Sequence, residues 1–263
     1  MPMDWARFND LVALSESGKP DEAIPGLKQL AESAEDDQDK AGVLTVLGAC
    51  QKEAEQLYDA HRTLTQARAL AKEDSWVHPR ALFFDATIDI RQRKWKDALK
   101  KLDEIGRRYP ATLGQAENED LPELIDKYRG IALYKLGRFA EARALLERAA
   151  GAEQDQAGAL YYVGRCCYDM GDLEAAKDYL RRSLSLELDT DYQPVAHYVL
   201  GLAYYWTGQS AWASPEFQWC LENDKSEFVK KWKVLTALMN ASKALGLEED
   251  AEKYARMLKK AQC

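Results

Sequence analysis

The sequence has little of what catalytic and metal sites are built from. It carries three histidines in 263 residues. His61, His78 and His197 are too far apart to give the clustered Cys/His set of a zinc site. The five cysteines are an odd number and contain no CxxC pair. Cys166 and Cys167 are neighbours, and on a helix their side chains diverge by about 100°, so they read as small buried hydrophobes. Cys263 is the expected reactive thiol. There is no phosphate-cradling glycine loop and no GxSxG elbow. The acidic residues spread over surfaces and turns with no pair set apart. A non-catalytic chain is expected, with no cofactor and no metal.

Long apolar runs are missing as well. None approaches the roughly 18 residues of a transmembrane helix. The opening MPMDWARFND has neither a basic start nor an apolar stretch, so no export signal is expected. That favours the cytoplasm and reduced thiols. The net charge of −8 gives no general attraction to phosphates, so neither nucleic acid nor an anionic membrane is expected as a partner. Strand-like alternation of useful length is absent too.

What the sequence does have is a repeat. Alanine follows a turn glycine by five residues in GKPDEA ending at Ala23, GRFAEA at Ala142, GDLEAA at Ala176, GQSAWA at Ala213 and GLEEDA at Ala251. Two copies lack the glycine, EQLYDA ending at Ala60 and RKWKDA ending at Ala98. By subtraction, successive alanines lie 37, 38, 44, 34, 37 and 38 residues apart, a period that signals a stacked array. Each period holds two windows of helical spacing. Leu160, Val163, Gly164 and Cys167 mark one, and Leu173, Ala176, Leu180 and Leu184 the next. A single pair cannot bury its apolar stripe, so neighbours must complete the core.

Gly48, Gly130, Gly164 and Gly201 lie twelve residues before the alanines at 60, 142, 176 and 213. Glycine inside a helix costs roughly 1 kcal/mol relative to alanine. Its return at one phase predicts a helix–helix contact too close for a side chain. Two features break the pattern. The stretch 111–120 (ATLGQAENED) lengthens one step and reads as a polar loop. Pro25 and Pro215, each two residues past the alanine, either kink the second helix or delay its start, with Ser214 as a cap in the second case.

These residues resemble the tetratricopeptide repeat. Leu160, Val163, Gly164, Ala176 and Leu180 fit that pattern, as do Leu200, Gly201, Tyr204, Ala213 and Phe217. Gly130, Leu133, Ala142, Leu146 and Ala149 give another copy, and Ala86, Ala98, Leu102, Ile105 and Pro110 a fourth. The resemblance covers nearly all of 4–262 and weakens at both ends. It implies an all-α fold, a right-handed α-solenoid of about seven antiparallel helix pairs forming one domain over 1–263. The hairpins are expected near 4–35, 38–72, 76–110, 120–151, 155–188, 193–223 and 226–262, with the insertion at 111–120.

The resemblance also implies an inner groove lined by the first helix of each pair. Carried onto this sequence, the inward positions are Arg80, Phe83 and Thr87, then Lys127, Ile131 and Tyr134, then Tyr161, Arg165 and Tyr168. Tyr198, Leu202, Tyr205 and Trp206 follow, and Lys233, Thr236 and Asn240 come last. Tyrosine, tryptophan and arginine carry much of the energy at interfaces. An aromatic groove with cations suits a protein or peptide partner, an extended segment with acidic and apolar side chains, and Arg165 is the first choice for a carboxylate. The family's carboxylate clamp for chaperone tails is not implied: Lys127 matches it, but Ile131 and Tyr162 stand where asparagines belong. Self-association into a scaffold or homo-oligomer is the alternative, through Trp5, Phe8, Phe228 and Trp232 at the ends. RNA binding by helical repeats wants a basic stripe that the overall charge disfavours.

Overall fold

In a computed structural model of the chain, residues 3–151, 156–186 and 188–261 are described. Cys263, the thiol singled out above, lies outside them. Among the described residues the chain forms fourteen α-helices and no strand. They divide between two compact units, Met1–Leu136 and Gly137–Cys263.

The first unit holds α1 (Trp5–Glu16), α2 (Pro20–Ser33), α3 (Asp37–Glu53), α4 (Leu57–Leu70), α5 (Val77–Arg91), α6 (Trp95–Arg108) and α7 (Leu121–Lys135). The second holds α8 (Phe139–Ala149), α9 (Gln156–Asp169), α10 (Leu173–Ser185), α11 (Gln193–Trp206), α12 (Ser210–Asn223), α13 (Lys231–Ala244) and α14 (Glu248–Ala261). In each unit, consecutive helices joined by short turns pack as hairpins, and each hairpin packs on the next.

One turn recurs between the two helices of a pair. Gly18, Gly137, Gly171, Gly208 and Gly246 all have φ between +71° and +84°, the left-handed conformation that ends a helix. The residue after the turn donates back across it, as Asp172 N–H does to the Cys167 carbonyl at 2.9 Å and Gln209 N–H to that of Tyr204 at 2.8 Å. The two copies without glycine make the same turn. Glu55 and Arg93 sit at the same phase with φ of 57° and 59°, and Gln56 and Lys94 donate to Gln51 and Asp89 at 2.8 Å. An L side chain there costs about 1–2 kcal/mol.

The seven phase-marking alanines are all buried. Facing them, the helix glycines admit the neighbouring helix. A Cβ built on Gly164 would stand 2.7 Å from Leu180 Cγ and 3.2 Å from its backbone nitrogen. On Gly201 it would meet Phe217 at 2.5 Å, and on Gly48 Leu64 at 2.6 Å. The predicted close contact therefore exists at these three positions.

Both open alternatives for the prolines resolve in one direction. α2 and α12 begin at Pro20 and Ser210, so Pro25 and Pro215 lie inside helices. The delayed start with Ser214 as cap does not occur.

The insertion is more than a polar loop. It folds into two 3₁₀ turns, Thr112–Gly114 and Ala116–Asn118, and Asn118 is fully buried. The Asn118 amide donates to the Thr112 carbonyl at 3.0 Å and that of Trp76 at 3.3 Å.

Candidate protein-binding surface

Within the second unit the first helices α9, α11 and α13 lie side by side. Between α11 and α13 a pocket of about 430 Å³ opens. Tyr198, Leu202, Tyr205 and Trp206 line it from α11, and Trp232, Lys233, Thr236 and Asn240 from α13. Spacings of three and four put each set on one helical face. Phe217 of α12, drawn in over Gly201, forms the fully buried floor. All seven inward positions named above on α11 and α13, Tyr198, Tyr205, Lys233 and Asn240 among them, thus share one cavity. Trp206 is 65% exposed at its rim and Trp232 48%, and Lys233 Nζ lies 5.7 Å from the Trp232 ring centre. Trp232 was expected only as a terminal aromatic. Its interval of four from Thr236 and eight from Asn240 is the signal that places it on this face.

α9 contributes at the other edge. Tyr168 is half-buried. Burial raises its phenol above the usual tyrosine range, and a hydrogen bond from the Trp206 side chain opposes that rise. Burial also raises Tyr198. Both phenols stay protonated at neutral pH and can donate or accept hydrogen bonds. The Arg165 guanidinium donates to Tyr161 Oη at 2.9 Å and lies over that ring at 5.8 Å.

Other candidate residues are not on open surface. Tyr161 is only 3% exposed, packed against Tyr162 and Tyr192 at 5.0 and 5.2 Å between ring centres. Its place in an open groove is corrected: the ring is core, and it positions Arg165. Phe83 is also buried, edge-on to Tyr128 at 5.4 Å, and Tyr134 is buried beneath Lys135. Arg80 is committed elsewhere. It grips both carboxylate oxygens of Asp120, at 2.5 and 3.0 Å, and the Glu117 carbonyl, tying the insertion to α5. The Arg80 hydrogen bonds hold the Asp120 carboxyl below its ordinary range despite partial burial. Lys127 is partly buried beside Tyr128, and burial lowers its amine to about 8.

The hairpins, their αL turns and their alanine–glycine register define a tetratricopeptide-type helical-repeat protein. The sequence matches the profile of the family described as T7SS, ESX-1 secretion system protein EccA1, N-terminal domain, over residues 35–197. That is more than half of the chain, and the chain belongs to this family. No curated protein matches it. Among solved structures it is similar to a chain of the APC/C hetero-tetramer Cut9–Hcn1 (TM-score 0.68, 15% identity, 95% of this chain covered). This chain spans only 48% of that one. It is also similar to PilW, a type IV pilus biogenesis factor (TM-score 0.62, 20% identity, 83% of this chain and 92% of that one). A third is YrrB, described as a TPR protein with an unusual peptide-binding site (TM-score 0.56, 16% identity, 80% and 96%). At these identities the likeness is one of fold. Among the described residues no helix is long and apolar enough to cross a membrane.

Proposed function

We propose that this chain is a non-catalytic adaptor that holds an extended segment of a partner protein against α11 and α13. The supporting observation is the α11/α13 pocket, in which two exposed tryptophans, two tyrosines and a lysine converge on an apolar floor. Apolar side chains of the segment enter the pocket, and its acidic side chains meet Lys233 and Arg165. Aromatic anchors in such a setting typically carry about 2 kcal/mol or more each. The YrrB description, a repeat protein with a peptide site, is in keeping with this role.

Fluorescence anisotropy with labelled peptides alternating glutamate with leucine or phenylalanine tests it. Trp206→Ala should weaken binding by about tenfold or more. Trp212→Ala, an exposed tryptophan of α12 outside the pocket, should leave it unchanged. Equal loss from both variants would move the site off this surface. Self-association into a scaffold is the alternative. It is supported by Trp5, half-exposed and edge-on to Phe8 at 5.6 Å, and by exposed Phe228. A strictly monomeric chain in light scattering would remove it.

A further inference from the structure

The α11/α13 pocket favours one backbone conformation in the segment it takes. Its lining follows α11 from Tyr198 to Trp206 and α13 from Trp232 to Asn240, about 12 Å along each helix. The pocket therefore lies lengthwise between the two helices, and a segment in it runs along them. Tyr198 and Tyr205 are seven positions apart on α11, and Lys233 and Asn240 seven apart on α13. Seven positions are close to two turns, so each pair stands on one face about 10.5 Å apart.

That interval selects among extended chains. A β-strand returns a side chain to the same face every second residue, at about 6.6 Å and then about 13 Å. Neither distance meets both tyrosines. A polyproline II helix has three residues per turn and rises about 3.1 Å for each. Residue i+3 then returns to the face of residue i after about 9.3 Å, within about 1 Å of the tyrosine spacing.

The hydrogen-bonding groups agree. Among the described residues the hydroxyls of Tyr198 and Tyr205, the Asn240 amide and the Lys233 amine have no hydrogen-bond or ion-pair partner. All four groups can donate, and no carboxylate lines the pocket. The Thr236 hydroxyl already donates to the Trp232 carbonyl at 2.7 Å. A polyproline II segment makes no internal hydrogen bonds, so its carbonyls are free to accept. Proline brings no N–H that would need an acceptor in return. Aromatic rings in a groove are also what proline-rich segments dock against, and a proline with its φ already fixed loses little freedom on binding.

Resting on the reading that this pocket holds a segment of a partner protein, we propose that the segment is proline-rich and binds as a polyproline II helix. Prolines at i and i+3 lie against Tyr198 and Tyr205. The backbone carbonyls accept from the two hydroxyls and from Asn240, and a flanking glutamate meets Lys233.

Fluorescence anisotropy on the full chain tests it with three labelled peptides of equal length and charge. They are Glu-Pro-Leu-Leu-Pro-Glu, Glu-Pro-Leu-Pro-Leu-Glu, which moves the second proline to i+2, and Glu-Ala-Leu-Leu-Ala-Glu. The first should bind about fivefold or more tighter than either of the others. Tyr198→Leu and Tyr205→Leu should each weaken the first peptide by about fivefold or more, while Tyr205→Phe, which keeps the ring, should retain most of the binding. The comparison of peptides on the parent chain decides the matter even where a variant fails to fold. Equal binding of all three peptides, lost together in Trp206→Ala, would overturn the polyproline II assignment and leave the adaptor reading standing. No binding by these peptides or by the alternating glutamate peptides would overturn both.

Discussion

At the scale of single residues, one backbone conformation and one missing Cβ set the repeat. The turn between the paired helices needs φ near +70°, which glycine adopts without cost and other residues do not. Arg93 holds that conformation with an exposed side chain. Arg93→Gly should relieve about 1–2 kcal/mol of strain and lose roughly half of it to the greater freedom of the unfolded chain. A rise of about 0.5–1 kcal/mol in unfolding free energy by urea titration is the expected result, and a fall would contradict it. Gly164 works in the opposite sense. Its Cα faces Leu180 with no room for a side chain, so Gly164→Leu should cost about 1–3 kcal/mol by overpacking. A thermal melt unchanged from the parent would show that the two helices can part cheaply.

At the scale of elements, the insertion between α6 and α7 shows how a sequence-level expectation can miss a contact. ATLGQAENED is polar and irregular in composition, and it reads as loop. Asn118 nonetheless sits fully buried, bonded to two carbonyls, because a segment in 3₁₀ turns can satisfy its own backbone. Arg80 closes the arrangement from α5 through Asp120. Arg80→Ala should therefore loosen the insertion rather than remove a partner contact. Charge-assisted hydrogen bonds of this kind contribute about 1.5–3 kcal/mol, less here because Asp120 is partly solvated. Hydrogen exchange should rise over 112–120 and leave α9–α14 unchanged. Exchange rates over 112–120 equal to the parent's would return Arg80 to the candidate binding residues. The prolines make the converse case. Pro25 and Pro215 looked like breaks, yet α2 and α12 run through them. The packing of Leu27, Leu30 and Phe217, all buried, outweighs a lost backbone hydrogen bond near a helix start.

At the scale of the whole molecule, contacts run between sequence neighbours, as stacked repeats require. Stability should then grade along each unit. α1 buries no residue completely and α14 only Ala251, whereas α3, α5, α9 and α11 are lined with buried side chains. Hydrogen exchange by mass spectrometry should find α1 and α14 least protected, near local-unfolding limits, and those four helices most protected. Uniform protection from end to end would mean a single cooperative block. Charge also acts at this scale. A net −8 coexists with a cation, Lys233, and no carboxylate in the lining of the α11/α13 pocket, so local charge and net charge point to different partners.

The helices, their pairing, the turn positions and the alanine–glycine register were legible in the sequence, because each depends on local rules of spacing and φ that no distant residue alters. The site was legible only in part. The phase of Tyr198, Tyr205, Lys233 and Asn240 puts them on facing helix surfaces, and the structure gathers them around one pocket. The same rule placed Tyr161, Phe83, Tyr134 and Arg80 on that surface too, and tertiary packing decided otherwise. Whether a ring at a given helical phase is surface or core depends on what the neighbouring element presents: Tyr192 over Tyr161, Tyr128 beside Phe83, Asp120 against Arg80.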